Sequence, residues 1–144
     1  MEIMVEFIMF KKGDFPVDKV DKEISLPNGK ILKNGESIYS SYTNKFIRTE
    51  THTSIEYTTG YIETISTEEP IKKMYNILDP RKTQILESIN QYGLTAKFCI
   101  VINLTNNPEI SLSQEFVQLA AYLKAEIEFD TYLDFDKDVE VFNG

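Results

Sequence analysis

One cysteine and one histidine supply the only thiol and the only imidazole in the sequence. A single thiol closes no intrachain disulfide. Cys99 lies inside the apolar run Phe98–Leu104, where it reads as a small buried hydrophobe in a reducing compartment. A Ser/His or Cys/His nucleophile system would have to recruit His52. No serine stands in a G-x-S-x-G frame, however, and His52 occupies a polar stretch, as a surface residue does. A zinc site built on His52 and Cys99 would need two carboxylates to complete it. The phosphate-cradling patterns G-x-x-x-x-G-K-S/T and G-x-G-x-x-G are both missing. So is any basic run: 15 basic residues against 23 acidic ones leave a net charge of −8, the wrong sign for displacing counterions from nucleic acid. No apolar run approaches the roughly 20 residues that span a bilayer. The opening MEIMVEFIMFKK places acids inside its apolar run and lysines after it, the reverse of a secretory signal. These absences point to a soluble cytoplasmic protein with no nucleic-acid or membrane partner. They leave no catalytic constellation, metal site or cofactor motif to name.

What is present suffices for one domain over residues 1–144. A chain of this length buries roughly 68–70% of its unfolded surface without needing staples. The charge is unevenly spread. Nine of the acids but only two of the bases fall between Glu109 and Gly144, so this last quarter carries −7 of the −8. Such a surface attracts a basic partner protein. Solubility accounts for it equally well.

The stretch Lys97–Leu133 organises the chain as buried strand, turn, capped amphipathic helix and alternating strand. Ahead of it, Glu2–Phe10 alternates Ile3, Val5, Phe7 and Met9 with Met4, Glu6, Ile8 and Phe10. With both faces mostly apolar, this strand belongs in the centre of a sheet. Asp14 and Pro16 open a short helix ending near Ser25, before Pro27. Two Asn-Gly turns flank KILK, and Ser37–Thr49 is either a surface loop or a poorly patterned strand. In Thr51–Ser66 the alternation Ile55, Tyr57, Thr59 loses its parity after Gly60, which marks a β-bulge or a tight hairpin. Ser66 and Glu69 have capping-box spacing, as do Ser111 and Gln114. Asp79-Pro80 restarts or kinks the intervening helix, and Gly93 ends it. In the last strand, Ile127, Phe129, Thr131 and Leu133 are expected to pack on helices. Glu126, Glu128, Asp130 and Tyr132 face water. The tail, residues 136–144, is too polar at its start for a core strand and reads as frayed. The mixed order of elements implies an α+β two-layer sandwich: a mainly antiparallel sheet packed by helices, with a ferredoxin-like topology as the first choice.

The segments YGL (92–94), KFCIVINL (97–104), NNPEISLSQEFVQLAAYL (106–123) and EIEFDTYL (126–133) resemble an uncharacterised bacterial family, domain of unknown function 4279. In that family a strand passes through a Pro-containing turn into a helix and then a strand closing on a D-x-Y pattern, matched here by Asp130 and Tyr132. Residues 60–78 match its strand and Pro-bearing helix. The aromatic expected there, often Trp, must be supplied by Tyr57 or Tyr61, because the chain has no Trp. The resemblance spans residues 1–135 and implies a bacterial cytoplasmic α+β domain. It brings no activity, cofactor or catalytic residue to carry over.

Three features stand as candidate sites. Asp134, Asp136 and Asp138 alternate as in a calcium loop but lack its sixth-position glycine and its closing glutamate, and read better as a solvated tail. Glu126, Glu128 and Asp130 step along one strand face about 7 Å apart. Beside them Tyr132 joins eight tyrosines in all, a residue favoured at protein interfaces because its ring packs while its hydroxyl stays wet. The first functional expectation is therefore a non-catalytic binding protein that holds a basic protein through Glu126, Glu128, Asp130 and Tyr132, in its sharpest form an immunity-type protein. The second is a small-molecule binder or enzyme with a tyrosine-lined pocket between the sheet and residues 36–50. Oligomeric state is left open.

Overall fold

The computed structural model describes residues 1–133. In chain order these form β1 (Glu2–Lys12), α1 (Val17–Ile24), β2 (Lys30–Leu32), β3 (Ser37–Tyr39), β4 (Phe46–Thr49), β5 (His52–Thr58) and β6 (Ile62–Glu63). There follow α2 (Glu68–Leu78), a 3-10 turn (Asp79–Arg81), α3 (Lys82–Tyr92), β7 (Thr95–Leu104), α4 (Gln114–Tyr122) and β8 (Glu126–Leu133). The Asp134–Asp138 run and the 136–144 tail lie outside the described residues.

The main sheet runs β2-β5-β1-β7-β8, with β6 also paired to β1. β1 is antiparallel to β5, β6 and β7, and β2 is antiparallel to β5. The β1-α1-β2-β5-α2/α3-β7 path is thus the β-α-β-β-α-β arrangement expected of a ferredoxin-like sandwich. α4 then supplies the crossover that a parallel neighbour requires, and β8 joins β7 in parallel as an added edge strand.

Strand alternation divides the sheet into two faces. Ile3, Val5, Phe7 and Met9 of β1 are fully buried, as are Phe98, Ile100 and Ile102 of β7. They form one core with Val20 and Ile24 of α1, Met74 and Leu78 of α2, Ile85 of α3 and Phe116 of α4. Phe98 sits at its centre, its ring 4.9 Å from Phe7 and 4.7 Å, edge-on, from Phe116.

Local chemistry departs from expectation at several helix ends. α1 begins after Pro16 with no side-chain cap, so Asp14 does not cap it. Thr67, not Ser66, is the N-cap residue of α2, and Ser66 Oγ accepts from Glu68 N rather than closing a box with Glu69. The fully buried Thr67 hydroxyl is committed elsewhere. It donates to Ser111 O at 2.8 Å and accepts from Ser111 N at 2.9 Å, tying the start of α2 to the segment before α4. That leaves Ser113 to cap α4, through a bond from Phe116 N to its Oγ. Gly93 ends α3 in the left-handed conformation as expected. At Gly29 the need is space rather than φ: a Cβ there would meet Asp21 Oδ1 at 2.9 Å and Tyr57 at 3.0 Å.

The ambiguity at Gly60 resolves as a bulge. Glu6 pairs with Thr58 and Ile3 with Ile62, so four steps on one strand oppose three on the other. Residues 37–49, open between loop and strand, form the β3–β4 hairpin, a separate two-stranded sheet.

The final strand required the largest correction. Among Ile127, Phe129, Thr131 and Leu133, only Ile127 is partly buried; Phe129 is 44% and Leu133 56% exposed. Alternation correctly puts these residues on the helix side, but β8 is the outermost strand and the helices pack over the interior of the sheet. α4 leans on α2 and leaves the outer flank of β8 uncovered.

Candidate functional site

The face turned away from the helices carries the chemistry. Residues directly opposed across paired strands share a face, so the register assembles its rows. One row is Lys30, Glu56, Ile8, Lys97 and Glu126; the next is Thr58, Glu6, Cys99 and Glu128; a third is Met4, Val101 and Asp130; a fourth ends at Tyr132. All four residues expected to hold a partner therefore lie on this open face, beside β7. Asp130 is half-buried, while Glu126, Glu128 and Tyr132 are exposed. Tyr132 donates to Asp130 Oδ2 at 2.8 Å, and that carboxylate raises the phenol pKa. Glu128 meets Lys97 Nζ at 3.3 Å, and the same ammonium lies 5.8 Å above the Phe10 ring.

Pairing also brings in acids that no single segment announced. Glu6 and Glu56 are diagonal neighbours across β1 and β5, which brings their carboxyls within hydrogen-bonding reach when Glu6 is protonated. Burial raises the Glu6 carboxyl first; the hydrogen bond and charge of Glu56 add to this, as does Asp130. Together they outweigh Lys30 and push Glu6 up to about 7. Each acid was visible in its own alternation, but only the β1–β5 register makes them a pair.

Cys99 is not the core residue expected. Phe98 and Ile100 turn to the helices, so Cys99 faces the open side, half-buried. Burial and the neighbouring Glu6, Asp130 and Glu128 push its thiol pKa up, which holds it protonated and a weak nucleophile at neutral pH. His52 opposes Lys12 and Cys99 opposes Glu6, six residues apart along β1 and so about 20 Å from each other. His52 lies at the surface with its Nδ1 3.0 Å from Thr51 Oγ1. Among the described residues no group of three or more His, Cys, Asp or Glu is arranged to hold a metal ion.

The tyrosines fall into separate environments. Tyr57 is 2% exposed and donates to Asp21 Oδ1 at 2.9 Å, which satisfies its hydroxyl inside the core. Tyr39 and Tyr42 stand out from the β3–β4 hairpin into solvent, as does Phe46. A cleft of about 570 Å³ lies on the other side of the molecule, between α2 and the start of α4. It is lined by Lys72, Tyr75, Ser111, Gln114 and Glu115, among others.

The architecture and this face define an α+β sandwich with one sheet surface that no described helix covers and that is rich in carboxylates. Residues 1–134 match the family described as "Domain of unknown function (DUF4279)", and the chain belongs to that family. No curated protein and no solved structure matches it. Among the described residues no helix is long and apolar enough to cross a membrane.

Proposed function

We propose that the protein is a non-catalytic binding domain whose open sheet face holds a basic protein, in the manner of an immunity protein neutralising a cationic toxin. One observation carries this reading: Glu6, Glu56, Glu126, Glu128 and Asp130 share a face that no described helix covers, offset among the described strand residues by Lys12, Lys30 and Lys97. Met4, Ile8 and Phe10 lie among them half-buried, giving the apolar centre and charged rim on which protein partners dock. A protonated thiol and a distant, solvent-facing histidine are compatible with a role in holding rather than cutting. The tagged protein is to be used to capture partners from its host's lysate at low and high salt. A basic protein retained at low salt, and lost from the Glu126→Lys/Glu128→Lys/Asp130→Lys variant, supports the reading. Its association should slow about tenfold or more on charge reversal. Equal retention by the reversed variant refutes the acidic face as the docking surface.

A small-molecule reading finds its observation away from the expected place beside residues 36–50, in the α2–α4 cleft, where burial, Asp79 and Glu115 raise the Tyr75 pKa. Saturable NMR shifts at Tyr75 and Gln114 during ligand screening, with no basic protein captured, would move the function there.

A further inference from the structure

The two edges of the main sheet are finished differently. β2 closes one side with three residues, Lys30–Leu32, and has lysines at 30 and 33. Shortness and lysine are devices by which edge strands avoid pairing with other chains. β8 closes the other side with eight residues in continuous register on β7, without proline, lysine or bulge. Among the described residues it pairs with β7 alone, so one row of its backbone N–H and C=O groups faces outward over about 26 Å.

The side chains bordering that edge differ above and below it. On the open face stand Glu126, Glu128 and Asp130. On the helix side Phe129 and Leu133 remain about half exposed, because no helix reaches over them. A strand added here places alternate residues beside the acids and beside the aromatic and aliphatic flank.

We propose that the edge of β8 left unpaired among the described residues is completed by an extended segment of the partner protein in which basic and apolar residues alternate. The proposal deepens the reading of the acidic face as a site for a basic protein, and rests on it. Basic side chains of the added strand meet Glu126, Glu128 and Asp130, and its apolar side chains cover Phe129 and Leu133. Backbone pairing supplies affinity and the alternation supplies specificity, the division of labour in strand addition generally. A second copy of this chain is the wrong occupant. Two β8 strands paired about a two-fold axis set like faces together, which puts carboxylates against carboxylates.

The test uses the intact protein, ¹⁵N-labelled, and three eight-residue peptides at low salt: alternating lysine and valine, the same peptide with its two central valines replaced by proline, and alternating glutamate and valine. The expected result is saturable binding of the lysine–valine peptide with slowed amide exchange along Glu126–Leu133. The proline version should bind about tenfold or more weaker, because it lacks ladder donors, and the glutamate version should not bind. Equal binding of the proline version overturns strand addition but leaves the acidic face as a site for basic proteins. No binding of either basic peptide overturns both. Binding of the glutamate peptide as tight as the lysine one overturns the charge pairing.

Discussion

The two faces of one sheet differ sharply in what they carry. Phe98 and Cys99 are adjacent in sequence, yet Phe98 is fully buried between Phe7 and Phe116 while Cys99 looks out among carboxylates. The helix-covered face concentrates apolar area, which is where stability comes from. The open face collects Glu6, Glu56, Glu128 and Asp130 in positions that do little for stability or oppose it, which is what the proposed docking role rests on. A difference of this kind is measurable residue by residue.

The widest contrast is between those two neighbours. Phe98→Ala should cost about 3–5 kcal/mol by leaving a cavity between the Phe7 and Phe116 rings. Cys99→Ala should cost under about 1 kcal/mol. Urea midpoints measure both, and similar losses would abolish the distinction between the faces. Next comes Thr67→Val, which strands the Ser111 N–H and C=O and should cost about 1–3 kcal/mol by the same assay.

On the open face the sign should reverse with pH. Glu6 titrates near 7 when folded, against 4.5 for an ordinary glutamate, so the folded state binds the proton more tightly than the unfolded one. Its effect is most favourable below about pH 4.5 and is lost as pH rises through 7. Glu6→Gln removes that loss. The variant should gain on wild type between pH 5 and pH 8, by about 1–2 kcal/mol because water still reaches the pair. Denaturation at the two pH values checks this, and a gain independent of pH would exclude the raised Glu6 pKa. The smallest effect belongs to Glu128→Gln, which breaks the surface pair with Lys97 and should change stability by under about 0.5 kcal/mol.

Much of the molecule was legible before any tertiary contact was known. The alternation of Ile3, Val5, Phe7 and Met9 placed β1 centrally, and Gly60 marked the change of parity that pairing reveals as a bulge. The turn and helix signals gave the α+β order and its ferredoxin-like core. Local hydrogen-bond choices were less legible. Ser66, Thr67, Ser111 and Ser113 all carry hydroxyls, and which of them caps a helix depends on the contact between the segments around 67 and 111.

Periodicity is a property of the chain alone, because backbone geometry repeats every two residues in a strand and about every 3.6 in a helix. The sequence by itself therefore determined which residues share a face: Glu126, Glu128, Asp130 and Tyr132 on one side of β8, Phe129 and Leu133 on the other. Whether a face is covered depends on what packs against it from elsewhere in the chain. Only the tertiary structure could decide that Phe129 stays exposed, that Cys99 lies outside the core, and that Glu6 and Glu56, fifty positions apart in sequence, become neighbours across two paired strands.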